Sequence, residues 1–266
     1  MRKTIYQQVR YYQDEVTDDF CQTKTNKEVY VDGTYQYLPS SYLFKVLSFI
    51  VYYLFALPIL FIYAYVFKGV RVYGRENLRQ LNSGYIMYAN HTHEIDAFLG
   101  HVMYARPKRT YIIANKDAIS IKGLSLLVKG LGALPVPDTM NGLTNLNKAI
   151  AFLLERKKAI MIYPEAKIWH YYTGLRPFPI TSFRFAANNN VPAVPIAITY
   201  RRPKGLLKNY KKPRMTAYIG EPIHNKDDLN NKENARMLWE ETVEFIETKV
   251  SDPGNVKLYE YVKKSD

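Results

Sequence analysis

"YIMYANHTHEIDAFLGHVMY", residues 85–104, contains the unit from which the fold is read. Tyr85 to Ala89 is a short apolar run of β character, and a polar loop with two histidines and two acids follows it. A helix beginning near Asp96 is expected to continue through "AFLGHVMY". Outward from this unit the rhythm repeats, with "VRVYG" at 70–74, "TYIIA" at 110–114, "AIMIY" at 159–163, "AVPIAITY" at 193–200 and "RMTAYIG" at 214–220. Between them Leu143, Leu146, Ile150, Leu153 and Leu154 recur at helical spacing, which predicts an amphipathic helix over 143–157. Ala235, Leu238, Trp239, Val243, Ile246 and Val250 repeat the pattern near the C-terminus. Short apolar runs alternating with helices predict an α/β fold whose mostly parallel central sheet is flanked by helices. The chain carries no repeat, Walker loop or Gly-rich dinucleotide fingerprint.

At 266 residues, one substantial catalytic domain fits the length. Lys and Arg number 37 against 24 Asp and Glu, a net charge of +13 that suits a polyanionic partner, either nucleic acid or an anionic membrane face. A single cysteine, Cys21, excludes an internal disulfide framework and a thiolate metal cluster, so a reducing cytosolic setting is expected.

"VLSFIVYYLFALPILFIYAYVF", Val46 to Phe67, holds no charged residue and lies between Lys45 and Lys68. As a helix it is long enough to cross ~30 Å of hydrocarbon. About forty polar residues precede it and no small-residue cleavage site follows, which argues against a secretory signal. A buried core helix is the soluble alternative. Pro58 leaves two membrane geometries, a kinked span or a pair of short helices, Leu43 to Leu57 and Pro58 to Phe67, within one leaflet. Lys68, Arg71, Arg75 and Arg79 follow the run, so the positive-inside rule places the body on the cytoplasmic face of the cell membrane, anchored through 43–67. Ahead of it, "KEVYVDGTYQYLP" suggests a short hairpin turning at Asp32-Gly33. The chain therefore divides into a polar extension (1–41), a hydrophobic anchor (42–68) and a catalytic domain (69–266).

In an open α/β sheet reactive groups gather where strands end, which is where His91, His93, Glu94 and Asp96 lie. Five residues separate His91 from Asp96, roughly 140° around an ideal helix, so the loop must turn for them to meet. Asp96 would then fix the imidazole tautomer and leave the other ring nitrogen to take a proton from a hydroxyl. Two other readings stay open. His93 and Asp96 at i, i+3, with His-x-His, can begin a metal site, and Thr92 with Asp96 can simply cap a helix.

"NHTHEID", Asn90 to Asp96, resembles the Asn-His-x4-Asp motif of the glycerolipid acyltransferases, the 1-acylglycerol-3-phosphate acyltransferase family. "ANKDAISIKGLSLLVKGLGALPVPD" resembles the family's second block, "MIYPEAK" its Phe-Pro-Glu-Gly-Thr-Arg block, and "VPAVPIAITY" its closing Val-Pro-Val-x-Pro-Val block. The resemblance runs from about residue 43 to 222 and includes the N-terminal anchor. It implies an O-acyltransferase that moves a fatty acyl group from an acyl-CoA or acyl carrier protein thioester to the free hydroxyl of a lysophospholipid. Its lead acceptor is 1-acyl-sn-glycerol-3-phosphate, and it needs neither metal nor cofactor. On the same resemblance His91 is the general base, Asp96 its orienting acid and Glu165 an acceptor-binding glutamate. Asn90 and Lys116 belong to substrate-binding blocks, and Pro195 lies near the acyl pocket.

The chain departs from the family where Ala166, Lys167 and Ile168 replace Gly-Thr-Arg, which removes the arginine expected to hold the acceptor phosphate. Lys167 is a point charge in its place, and Arg176 or Arg184 is a further candidate. Another lysophospholipid or a glycolipid is thus an alternative acceptor, and a metal-dependent hydrolase using His91, His93 and Asp96 is a lower one. The acid-free loop "RRPKGLLKNYKKPR", 201–214, suits anionic headgroups or an acidic acyl carrier protein. It lacks a base-reading or stacking module, so no nucleic-acid role is expected.

Overall fold

A computed structural model describes residues 8–21, 29–39, 41–105, 108–120, 125–205 and 208–264. Its strands are β1 (Gln8–Tyr12), β2 (Arg71–Tyr73), β3 (Tyr85–Ala89), β4 (Thr110–Ala114), β5 (Ala133–Pro135), β6 (Ala159–Ile162), β7 (Ala193–Arg201), β8 (Arg214–Ile219) and β9 (Tyr259–Lys263). Seven form one sheet in the order β2-β8-β7-β3-β6-β4-β5. All its neighbours are parallel except the β7–β8 pair. β3 thus sits in the middle, and the loop after it opens at the C-terminal edge between β6 and β7.

Both faces of the sheet are covered, which is why its strands read as continuous apolar runs rather than alternating ones. Tyr85, Met87 and Ala89 of β3 point into one core with Met161, Ile196 and Ile198. Ile86 and Tyr88 point into the other, where they meet Leu146, Ile150 and Leu153 of the helix Met140–Glu155 and Leu238 and Ile246 of the helix Asn231–Val250. The first of these helices starts where Thr139 accepts a bond from Gly142 N. The second starts in a reciprocal capping box between Asn230 and Glu233.

The apolar run is one continuous helix, Tyr42–Phe67, rather than two separate short helices. Just before Pro58 the backbone widens into a π-helical stretch, Val51–Ala56, in which Leu57 N donates to Tyr52 O. That wider turn makes room for the proline ring and absorbs its missing donor without breaking the rod. Only a narrow face docks on the body, through Ser48, Tyr52, Leu57 and Ala64. Ser48 Oγ donates to Gly130 O at 2.7 Å, and Tyr52 Oη lies 3.1 Å from His101 Nδ1. Leu47, Phe49, Leu54, Phe55, Ile59, Ile62, Val66 and Phe67 face outward, so this is no core helix.

His101 is buried under that helix, and burial together with Arg109 lowers its pKa to about 4. It is therefore neutral in the fold, while the unfolded chain takes up a proton near pH 6.5. Stability is full above pH 6.5 and declines as pH falls toward 4, by on the order of 3 kcal/mol in total. Urea titrations across that range should show a shallower decline for His101→Asn than for the parent protein, and equal slopes would refute the assignment.

Three strands lie outside the apolar runs read from the sequence. β5 is only three residues long. β1 pairs in parallel with β9, joining opposite ends of the chain in a separate two-stranded sheet. Among the described residues the expected hairpin at Asp32-Gly33 has its turn, with Tyr35 N donating to Asp32 O at 3.3 Å, but no paired strands. Val31 N donates to Asp138 Oδ2 at 2.9 Å, Val31 O accepts from Asp138 N at 2.8 Å, and Gly33 O accepts from Asn145 Nδ2. The backbone groups a partner strand would have taken are thus satisfied by the start of the helix Met140–Glu155.

Candidate active site

The loop after β3 is held by side chains that take the place of strand bonds. Asn90, fully buried, donates from Nδ2 to Ile198 O at 2.9 Å and accepts from Ile198 N at 2.7 Å. The β3–β7 ladder is thereby prolonged one step past its last backbone pair, and His91 is delivered to the sheet edge. Thr92 Oγ1 meets Tyr200 Oη at 2.8 Å on the same side.

Asp96, fully buried, closes the turn. Its Oδ2 accepts from Thr92 N at 2.7 Å and His93 N at 2.8 Å, and lies 3.3 Å from His91 Nδ1. The five-residue gap is spanned because two backbone donors fold the loop onto one carboxylate oxygen. Oδ1 is buried with no hydrogen-bond partner. The His91 ring stacks on Tyr163, centroids 4.3 Å apart, and Tyr163 donates to Asp96 O. Tyr163 precedes "PEAK" in the third block, so the motif carried its position while nothing in the pattern showed its stacking role. With Nδ1 committed to Asp96, Nε2 is the nitrogen left for a hydroxyl.

His93 is oriented differently. Its Nδ1 accepts from Ile95 N at 3.2 Å and lies 3.1 Å from Glu94 Oε2, and its Nε2 is 3.5 Å from Lys68 Nζ. Burial is the main cause that lowers its pKa. Among the described residues His91, His93 and Asp96 do not converge on a three-donor metal position. Cys21, Glu94 and His170 do lie within 4.8 Å of one another. There, burial and the carboxylates of Glu94 and Asp19 push the thiol up to about 11, and the His170 bond holds Glu94 down at about 2.

Glu165 follows β6 and is buried. Its Oε2 accepts from His91 N at 2.9 Å and from an Arg176 guanidinium nitrogen at 3.0 Å, and its Oε1 accepts from Arg176 N at 3.1 Å. Burial raises its pKa, opposed by Arg176. Arg176, itself buried, also donates to Lys167 O and Glu15 O. The next residue, Ala166, stands at φ 60°, the left-handed region in which a glycine costs less.

The remaining sequence candidates are not gathered around His91. Lys167 Nζ pairs with Asp19 at 3.3 Å, and Lys116 Nζ pairs with Asp138 at 2.7 Å beyond β4. Pro195 lies inside β7 opposite Tyr88, its carbonyl accepting from Gly220 N. Arg184 is exposed on a separate helix, Arg184–Asn188. The N-terminal extension, to which the sequence assigned no role, covers the "PEAKIW" loop. Trp169 Nε1 donates to Asp18 O, and the indole packs between Tyr12, Phe20 and Tyr261.

A family model described as Acyltransferase matches residues 69–199, which take in the His91 loop, the Glu165 loop and most of β7. The match supports the glycerolipid acyltransferase family, and the chain is an O-acyltransferase. A curated relative, the 1-acyl-sn-glycerol-3-phosphate acyltransferase of Bacillus subtilis (strain 168), is 28% identical over 174 residues, covering 65% of this chain and 83% of that protein. The fold is shared with the crystal structure of the 1-acyl-sn-glycerophosphate (LPA) acyltransferase PlsC from Thermotoga maritima. That likeness has a TM-score of 0.55 and 18% identity, over 79% of this chain and 88% of the other. The acyltransferase's mostly parallel sheet and flanking helices thus match the expectation from sequence.

Proposed function

We propose that the protein transfers a fatty acyl group from an acyl-CoA or acyl carrier protein thioester to the free hydroxyl of 1-acyl-sn-glycerol-3-phosphate, giving phosphatidic acid. The observation that carries this reading is the 3.3 Å contact of His91 Nδ1 with buried Asp96. His91 Nε2 takes the hydroxyl proton as the oxygen attacks the thioester carbonyl, and Asp96 stabilises the imidazolium. When the C–S bond breaks, the proton passes to the leaving thiolate. Both substrates are held at once and no acyl-enzyme forms, so rate comes from positioning as well as from the base. No metal or redox cofactor enters this chemistry.

Substrate shape is supported by a cavity of about 590 Å³ beside the catalytic loop, lined by His93 and Ile95. Leu60 and Tyr63 of the anchor helix give it an apolar wall, and Lys68 and Lys212 give it cations. That mixture suits a lipid with a charged head. The outward apolar face of Tyr42–Phe67 supports a membrane anchor. Docking of the helix along the body, from Ser48 to Ala64, supports a helix lying in one leaflet, and the basic flank supports the cytoplasmic face.

Incubation with labelled acyl-CoA or acyl carrier protein and a panel of lysolipids tests the reading. 1-Acyl-sn-glycerol-3-phosphate should give the highest kcat/KM. Another lysophospholipid or a glycolipid is the second reading, favoured by Ala166-Lys167-Ile168 and by the pairing of Lys167 with Asp19. Preference for such an acceptor would select it, and binding of lipid without turnover of any acceptor would refute both.

A further inference from the structure

A second chamber, of about 970 Å³, opens where the anchor helix enters the body, and none of His91, Asp96 or Glu165 lines it. Its walls come from Gly69 at the end of the anchor, the end of β7, the start of β8 and the turn after the helix Asn231–Val250. Arg71, Arg201, Arg202, Lys204, Arg214 and Lys257 line it, against one carboxylate, Asp252. Among the described residues none of these six cations has a carboxylate within ion-pair distance, since the ion pairs formed lie elsewhere.

Two of the cations are held in place rather than waving in solvent. Arg201 donates to Met215 O, Thr216 Oγ1 and Gly69 O, and Arg214 donates to Phe67 O. Both therefore tie the end of the anchor helix to the sheet. Arg214 is 6% exposed, and its Nε is buried with no hydrogen-bond partner. Burial and the neighbouring Arg71 and Arg214 hold the Arg201 pKa down to about 10. Like charges collected without a counter-ion repel one another, and a multiply charged anion removes that cost while adding charge-assisted hydrogen bonds.

We propose that this chamber is a phosphate-binding site separate from the catalytic dyad, recognising a phosphomonoester dianion at the foot of the anchor helix. A lipid headgroup in the leaflet beside the anchor and a soluble phosphate carry the same chemistry. A dianion matches the cation cluster better than the single charge of a phosphodiester, so phosphatidic acid outranks phosphatidylglycerol as an occupant. An occupied chamber would also bridge the ends of β7 and β8 to the anchor, fixing how the body sits on the leaflet.

The test uses the full chain with His91→Ala as background, so that binding is read without turnover and survives a failure of the acyltransferase assignment. Flotation compares phosphatidylcholine vesicles alone, with phosphatidylglycerol, or with phosphatidic acid, and calorimetry measures inorganic phosphate. Arg71→Gln and Arg202→Gln remove exposed charges that make none of the tethering bonds, so the fold, checked by thermal melt, should hold. Each should weaken binding to phosphatidic acid vesicles about fivefold. Arg236→Gln, on the exposed face of the helix Asn231–Val250, should leave it unchanged. Stronger flotation with phosphatidic acid identifies the lipid source, and calorimetric phosphate binding without vesicle preference identifies the soluble one. Equal losses in Arg236→Gln and Arg202→Gln, or no loss in any variant, would overturn the site.

Discussion

His91→Ala should lower kcat/KM by about 10²–10⁴-fold, the range over which a positioned general base acts, with little change in melting temperature. Among the described residues the ring, 13% exposed, is held by the Asp96 contact and the stack on Tyr163, and its loss leaves the loop's backbone bonds to Asp96 in place. Asp96→Asn should be nearly as damaging to rate, for a different reason. Its oxygen can still accept from Thr92 N and His93 N, which keeps the loop closed, but a neutral amide gives no charge to stabilise an imidazolium. His93→Ala should retain substantial activity, because its ring faces Glu94, Ile95 and Lys68 rather than Asp96. The measurement is steady-state acyl transfer beside thermal melts for all three variants. Full activity in His91→Ala or Asp96→Asn would sink the dyad.

How much of this was legible depends on the distance over which each feature is encoded. β3 and β4 match their expected runs residue for residue, and β6, β7 and β8 differ by one residue at an end. A strand buried on both faces writes its whole length in apolar residues. The β1–β9 pair has no such local signature, because three of the five residues of each strand are exposed and its partner is at the other end of the chain. The meeting of His91 with Asp96 was readable as a requirement on the loop, whereas the means, two backbone donors on one carboxylate oxygen, needed coordinates. The "PEAKIW" loop was the least readable part. Its charged residues find partners in Asp19 and Arg176, and the first of these lies in an extension whose composition gave no hint of the contact.

Arg176→Met should destabilise the protein by about 3–5 kcal/mol, the cost of leaving one member of a buried ion pair alone, and lower its melting temperature by roughly 10 °C. Arg176 and Glu165 side chains are 1% and 0% exposed, so no solvent is at hand to take over either charge. The deserted carboxylate would sit in a site whose burial already raises its pKa even with Arg176 beside it. Since the folded carboxyl then titrates above the unfolded one, the penalty is largest at neutral pH and shrinks as acid protonates it. Glu165→Gln with Arg176→Met should recover part of the loss at neutral pH. The amide oxygen can still accept from His91 N or from the backbone N–H of residue 176, which bond different oxygens of the carboxylate, and no buried charge is left. Arg176→Lys should not rescue, because an ammonium cannot reach Glu165, Lys167 O and Glu15 O together. Chemical denaturation of the two single variants and the double variant at neutral and acidic pH separates brace from substrate contact. A variant that melts like the parent but has a raised KM for the acceptor would show Glu165 and Arg176 acting on substrate instead. A loss of stability that the neutral pair partly restores marks the ion pair as the brace that holds the His91 backbone at the sheet edge.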